Sequence, residues 1–132
     1  MVRRRVSIRL CKGAYKEPAD RAFPVKADVD VNYAKLMRRL LSSGLYHRIA
    51  THDPLMIEQA RSFAHEHGIT PEHYEFQMLF GVRTDLQRQL VAEGNRLRIY
   101  VPFGTEWFPY FMRRLAERPA NAWFALRSIV GR

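Results

Sequence analysis

The chain has 132 residues, of which 47% are hydrophobic and 27% charged, a composition typical of one soluble globular domain with its own core. No apolar run approaches the roughly 20 residues that cross a bilayer, and no apolar signal-peptide core follows the basic residues 1–5, so a membrane-spanning or exported protein is not expected. The net charge of +9 favours an anionic partner. Because the basic residues are spread along the chain without a nucleic-acid-binding signature, a nucleic-acid partner is not expected and remains a minor alternative.

The first predicted element is a strand over residues 6–10, where apolar and polar residues alternate. Arg9 and Cys11 should then share one face of the sheet. Cys11 is the only cysteine, so no intrachain disulfide can form and a reducing compartment is favoured. The pattern predicts that Cys11 is a small buried strand residue, with a reactive thiol as the alternative. Residues 14–29 contain two prolines and several charges, which predicts a long functional loop or a loop with a short helix.

The rest of the chain alternates helices with strands. Further strands are predicted over His47–Ala50, Tyr74–Leu79 and residues 97–101. The predicted helices begin at capping residues and end at glycines: Asp30 or Asn32 to Gly44, Asp53-Pro54 to Gly68, and Thr84 to Gly94. Their inward faces are predicted to include Tyr33, Leu36, Met37, Leu40 and Leu41, then Ile57, Ala60, Phe63 and Ala64, then Leu86, Leu90 and Val91. Two more helices are predicted around residues 107–115 and 121–130.

Four successive βα units predict an α/β fold with a parallel sheet and right-handed crossovers. Their interval of roughly 25–40 residues is that of a (β/α)₈ barrel, of which four units are half. Ligands of such sheets bind outside the carboxyl ends of the strands. The polar residues there are therefore site candidates: Arg9 with Lys12, Thr51-His52-Asp53, Gln77 and Tyr100.

Two of these groups have competing interpretations. Arg9 inside an apolar barrel would need an anionic or hydrogen-bonding partner, whereas an exposed arginine on an edge strand would not. Thr51 and His52 could bind a polar ligand while Asp53 caps a helix, and a satisfied structural histidine is the alternative. Residues 65–67 read His-Glu-His, but residues two apart on a helix do not face each other, so solvent exposure is expected and no metal site is predicted.

The predicted helix that begins near residue 107 carries Tyr110, Arg113, Arg114 and Glu117 at spacings that place them on one face. Paired arginines can bind a carboxylate or phosphate with planar, bidentate geometry. Glu117 can pair with either arginine and hold it in place. This face is either an anion site or a solvated, salt-bridged surface.

Five segments of the chain, in order, resemble the proline dehydrogenase family, most closely its monofunctional bacterial form. They are residues 9–15, 50–53, 74–81, 98–104 and 110–118. Members of this family are flavin enzymes that oxidise L-proline to Δ1-pyrroline-5-carboxylate on a (β/α)₈ barrel. The resemblance implies that residues 1–132 are the carboxyl-terminal half of such a barrel, strands five to eight.

The same resemblance implies a role for each candidate residue. Arg9, near the flavin N5, and Tyr100 would be catalytic, and Arg113 and Arg114 would bind the proline carboxylate. The implied substrate-binding set is Tyr15, Leu79, Tyr100, Tyr110, Arg113 and Arg114. The implied FAD-binding set is Arg9, Lys12, Lys26, Thr51, His52, Gln77 and Glu117.

The four amino-terminal βα units of the family are missing from this sequence. A half-barrel would expose two edge strands and the apolar inner face of its sheet, so we expect self-association or pairing with a separate amino-terminal half. A non-catalytic remnant that binds flavin or phosphate weakly is the alternative. The family also implies a quinone as electron acceptor, and a cytoplasmic location or a peripheral one at the inner face of the membrane.

Overall fold

The computed structural model describes residues 5–13, 17–105 and 109, and over these residues the chain is an α/β fold with one parallel sheet. The strands lie in chain order as β1 (Arg9–Cys11), β2 (His47–Ala50), β3 (Tyr74–Leu79) and β4 (Leu97–Tyr100). The helices are α1 (Lys26–Leu41), α2 (Pro54–Glu66) and α3 (Thr84–Ala92), and a 3₁₀ turn (Pro71–His73) precedes β3. The predicted α/β class with a parallel sheet is thereby confirmed.

One face of the sheet packs against the helices and forms the core. Ile49 and Phe76 are fully buried on this face, and Leu10 and Ile99 pack beside them. The helices contribute apolar residues at the predicted spacing: Tyr33, Met37, Leu41, Ile57, Ala60, Ala64, Leu86 and Leu90. Leu36 and Val91 were predicted to point inward and are instead exposed, because each lies at the margin of its helix's apolar stripe.

The other face of the sheet, which we call the polar face, points away from the helices. By strand alternation and register it consists of Arg9, Cys11, Arg48, Ala50, Glu75, Gln77, Leu79, Arg98 and Tyr100. A half-barrel is predicted to have an apolar inner face here, and this prediction is wrong. Charged and amide side chains can occupy the face because they pair with one another, as Glu75 does with Arg98.

The first strand and first helix differ from their predicted bounds. β1 begins at Arg9 and not at residue 6, and Cys11 is exposed, because it lies on the polar face of an outer strand. The prediction that Cys11 is buried is therefore wrong. α1 begins at Lys26, before Asp30, so neither Asp30 nor Asn32 caps it. Asp30 instead binds lysines, which gives its carboxylate a stronger partner than a backbone N–H.

The later helix ends follow the sequence more closely. The Asp53 side chain accepts a hydrogen bond from the Leu55 N–H at 3.0 Å and Pro54 begins α2, as predicted. Thr84 was predicted to cap α3 but is its first residue. Arg83 occupies the capping position, with φ +55° and no side-chain capping bond. The helices predicted around residues 107–115 and 121–130 lie outside the described residues. No helix within the described ranges has the length and hydropathy to cross a membrane.

Candidate functional site

Thr51 and His52 follow β2 and are held by neighbouring backbone. The buried Thr51 hydroxyl accepts a hydrogen bond from the Asp53 N–H at 3.1 Å, which stabilises the turn into α2. His52 Nε2 accepts from the Leu79 N–H at 2.8 Å, so a neutral His52 carries its proton on Nδ1. Neither of these bonds joins the side chains of Thr51, His52 and Asp53 to one another. Both outcomes considered for His52, a ligand contact and a structural role, are compatible with this bond.

Lys12 connects β1 to the two following helices. Its ammonium donates to Asp53 Oδ2 at 2.7 Å and to Asp30 Oδ1, and its side chain is only 4% exposed. Lys26 binds the other oxygen of Asp30 with a side chain that is 81% exposed. Hydrogen bonds from Lys12 and Lys26 hold the pKa of Asp30 below its usual value. Lys12 thus stabilises the strand end internally, whereas Lys26 lies at the surface.

Arg9 and Tyr100 converge over the polar face although they belong to the two outer strands. The Arg9 guanidinium carbon lies 4.6 Å from the centroid of the Tyr100 ring, a cation–π contact. Three inter-strand spacings of about 4.8 Å would separate the two strands by about 14 Å in a flat sheet. The side chains therefore reach towards each other across β2 and β3. Arg9 is exposed, as in the edge-strand alternative, and its partner is an aromatic ring.

Glu75 is the central residue of the polar face that sequence reasoning missed. Its carboxylate accepts hydrogen bonds from Arg98 Nε at 2.7 Å and Nη2 at 3.0 Å, from Tyr46 Oη at 2.8 Å and from Gln77 Nε2 at 2.6 Å. Arg48 Nε is a further cation at 3.9 Å. The bonds from Arg98, together with those from Gln77 and Tyr46, hold the pKa of Glu75 at about 2 against the effect of burial. The sequence does contain a signal for this pair. Glu75 stands two residues before Gln77 in a strand, so both side chains must lie on the same face of the sheet.

Within the described part of the chain, Gln77 has a hydrogen-bond partner at only one end of its carboxamide. Its Nε2 donates to Glu75, while its buried Oε1 has no hydrogen-bond partner in the described part of the chain. Buried polar atoms normally have partners, so an orphaned acceptor is a feature that a bound ligand can explain.

The remaining predicted residues divide into two groups. Leu79 is half-buried at the end of β3 and in register with Tyr100, so the structure brings these two together. His65, Glu66 and His67 are exposed at the end of α2, as expected. The second group, predicted to contact the substrate or the flavin, lies outside the described residues. It consists of Tyr15, which follows β1 in the sequence, and of Tyr110, Arg113, Arg114 and Glu117 further along the chain.

The fold and the polar strand ends define an α/β protein with a candidate ligand site at the carboxyl ends of a parallel sheet. A family model described as proline dehydrogenase matches residues 2–127. The chain is 50% identical over 126 residues to proline dehydrogenase of Deinococcus radiodurans, covering 96% of this chain and 41% of that protein. It is 52% identical over 122 residues to proline dehydrogenase 2 of Bacillus subtilis strain 168, covering 92% of this chain and 40% of that protein.

A solved structure agrees with these sequence matches. The crystal structure of proline utilization A (PutA) from Bdellovibrio bacteriovorus, inactivated by N-propargylglycine, superposes with a TM-score of 0.79 at 28% identity, over 93% of this chain and 15% of that one. The chain belongs to the proline dehydrogenase family. It spans about two fifths of the length of the curated proline dehydrogenases described above.

Proposed function

We propose that the chain is the carboxyl-terminal half of a proline dehydrogenase barrel and that, completed by an amino-terminal half, it takes part in the FAD-dependent oxidation of L-proline to Δ1-pyrroline-5-carboxylate. On this proposal residues 1–132 form a partial domain with strands five to eight of a (β/α)₈ barrel. The family match supports it, and so does the share of the relatives that the chain covers. The observation that carries it is the convergence of Arg9 and Tyr100 over the polar face.

The described residues fit an anionic, hydrogen-bonding cofactor such as FAD. Gln77 on the polar face supplies a buried acceptor that has no partner among the described residues, and the first residues of α1 and β1 supply the Lys26 and Arg9 cations. Lys26 would bind a phosphate, and Thr51, His52 and Gln77 would hold other parts of the cofactor. FAD, when bound, supplies the capacity to accept a hydride, which no amino-acid side chain has.

The chain's own residues would bind and orient the substrate. Arg9 provides fixed positive charge, which stabilises negative charge that develops during oxidation. The Tyr100 ring holds Arg9 in place, and with Leu79 it offers apolar surface to the methylenes of proline. Arg113 and Arg114 would bind the proline carboxylate, and Tyr15 and Tyr110 would complete the wall. The proposal further includes a quinone acceptor and a cytoplasmic location, or a peripheral one at the inner face of the membrane.

The test combines flavin binding with activity. The chain is purified, mixed with the amino-terminal half of the Deinococcus radiodurans relative, and assayed for bound FAD and for proline-dependent dye reduction. We expect both when the halves are combined. Replacing Arg113 or Arg114 by alanine should then cost about 1.5–3 kcal/mol in kcat/KM for proline, because one charge-assisted bond to the carboxylate is lost.

Arg88→Ala is the matched control, since Arg88 is an exposed arginine on α3. Bound flavin without proline oxidation would favour the non-catalytic remnant. A mixture that takes up no flavin, although the halves associate, would contradict the proposal.

A further inference from the structure

The Glu75–Gln77 pair has a defined polarity. Glu75 is ionised and can only accept hydrogen bonds, and it already accepts from Arg98 and Tyr46. The end of the Gln77 carboxamide that faces it at 2.6 Å must therefore be the NH₂ group. A reversed carboxamide would place its carbonyl oxygen against a carboxylate oxygen, two acceptors without a proton between them. The Gln77 Oε1 atom consequently points away from Glu75.

This orientation leaves a buried acceptor on the polar face of the sheet. Gln77 is 2% exposed, and Oε1 has no partner within the described residues. A buried carbonyl without a hydrogen bond costs free energy, which is recovered when a donor arrives. Gln77 shares the polar face with Arg9 and Tyr100, so the orphaned acceptor lies on the same side of the sheet as the converging pair.

We infer that Glu75 is a positioning residue, which holds the Gln77 carboxamide with Oε1 as a preformed acceptor for a hydrogen-bond donor of bound FAD. This inference rests on the proposed function, because it requires that the site binds flavin. Glu75 itself touches no ligand in this scheme and acts only through Gln77. Arg98 and Tyr46 hold the carboxylate in place, and the carboxylate fixes the orientation in which the Gln77 carboxamide meets the cofactor.

A double-mutant cycle on FAD affinity tests the inference in the chain completed by its amino-terminal half. Gln77→Met removes the acceptor at similar volume and should weaken FAD binding about tenfold. Glu75→Met removes the partner that orients the carboxamide and should weaken binding several-fold. If Glu75 acts through Gln77, the double variant binds FAD no more weakly than Gln77→Met alone, because Glu75 has no effect on FAD affinity once the Gln77 carboxamide is gone. A general structural role for Glu75 would make the two losses multiply.

Glu93→Met is the matched control, since Glu93 is an exposed residue just after α3 that accepts a hydrogen bond from Gln89 Nε2 at 2.9 Å, away from the polar face. Its FAD affinity should stay within about twofold of the wild type. Multiplying losses, or an unchanged affinity in Gln77→Met, would overturn the inference. A wild-type complex that takes up no FAD would instead contradict the proposed function itself.

A nuclear magnetic resonance measurement on the unmutated chain, completed by its amino-terminal half, avoids variants that fail to fold. Addition of FAD should shift the ¹³Cδ resonance of Gln77, which reports a new bond at Oε1, while the Nε2 protons keep the downfield position expected of a bond to Glu75. Nε2 protons that lose this position on FAD addition would show that the carboxamide reverses, and would overturn the inference.

Discussion

Glu75 shows how a single buried carboxylate links stability to pH. Its pKa is about 2 in the folded chain, because Arg98 binds it, against 4.5 for an ordinary glutamate. The folded state therefore binds fewer protons than the unfolded state between these values. The stabilisation is present in full above 4.5 and is lost as the pH falls through the folded pKa, a total of roughly 3 kcal/mol.

We expect Glu75→Gln to reduce the acid dependence of the free energy of unfolding. The measurement is urea unfolding at several values between about pH 6 and pH 3, compared with the wild type. Glu66→Gln, at an exposed position on α2, is the control and should retain the wild-type acid dependence. Parallel curves for Glu75→Gln and the wild type would show that Glu75 is not the titrating group.

His47 gives a second pH dependence with its own window. Burial lowers the pKa of His47 from 6.5, and its Nδ1 accepts a hydrogen bond from the Ile8 N–H at 3.0 Å, so the folded state needs the neutral ring. Because the unfolded state takes up the proton first, the free energy of unfolding should fall as the pH drops below about 6.5 towards the folded pKa. His47→Asn, which retains an acceptor for Ile8, should remove this slope, whereas exposed His65→Asn should not. Equal slopes in both variants would exclude His47 as the cause.

At the scale of elements, the start of α2 combines two contributions in one side chain. Asp53 caps the helix through Oδ1 and binds Lys12 through Oδ2. Asp53→Asn should retain the cap and lose the ion pair, while Asp53→Ala should lose both. We expect the alanine variant to be less stable than the asparagine variant by about 1 kcal/mol, the usual value of a capping bond. Chemical denaturation measures the difference, and equal stabilities would show that the cap contributes nothing.

At the scale of the whole molecule, the outer strand β1 is where an amino-terminal half would pair. Cys11 is the only cysteine in the chain and is exposed on β1, so its reaction with a soluble thiol reagent reports on this edge. We expect the rate to fall several-fold when the amino-terminal half of the Deinococcus radiodurans relative is added. The same addition to the urea-unfolded chain is the control and should change nothing. An unchanged rate in a mixture whose mass shows association would place the contact elsewhere.

The amino-acid sequence alone predicts the order of strands and helices, the parallel α/β class and the start of α2 at Asp53-Pro54. These features depend on local rules, since strand alternation, helical periodicity and capping are all readable within one or two turns of chain. Family membership could also be predicted from the sequence, because the matching segments stand in order along the chain.

The folded arrangement of the strands determines which polar residues meet. Arg9 contacts Tyr100 across 91 positions of sequence, and Glu75 binds Tyr46 and Arg98, which are 29 and 23 positions away. It also decided that Cys11 is exposed, because a strand's period shows which residues share a face but not whether another element covers that face. Burial and charge pairing are properties of neighbours brought together by folding, and no local pattern contains them.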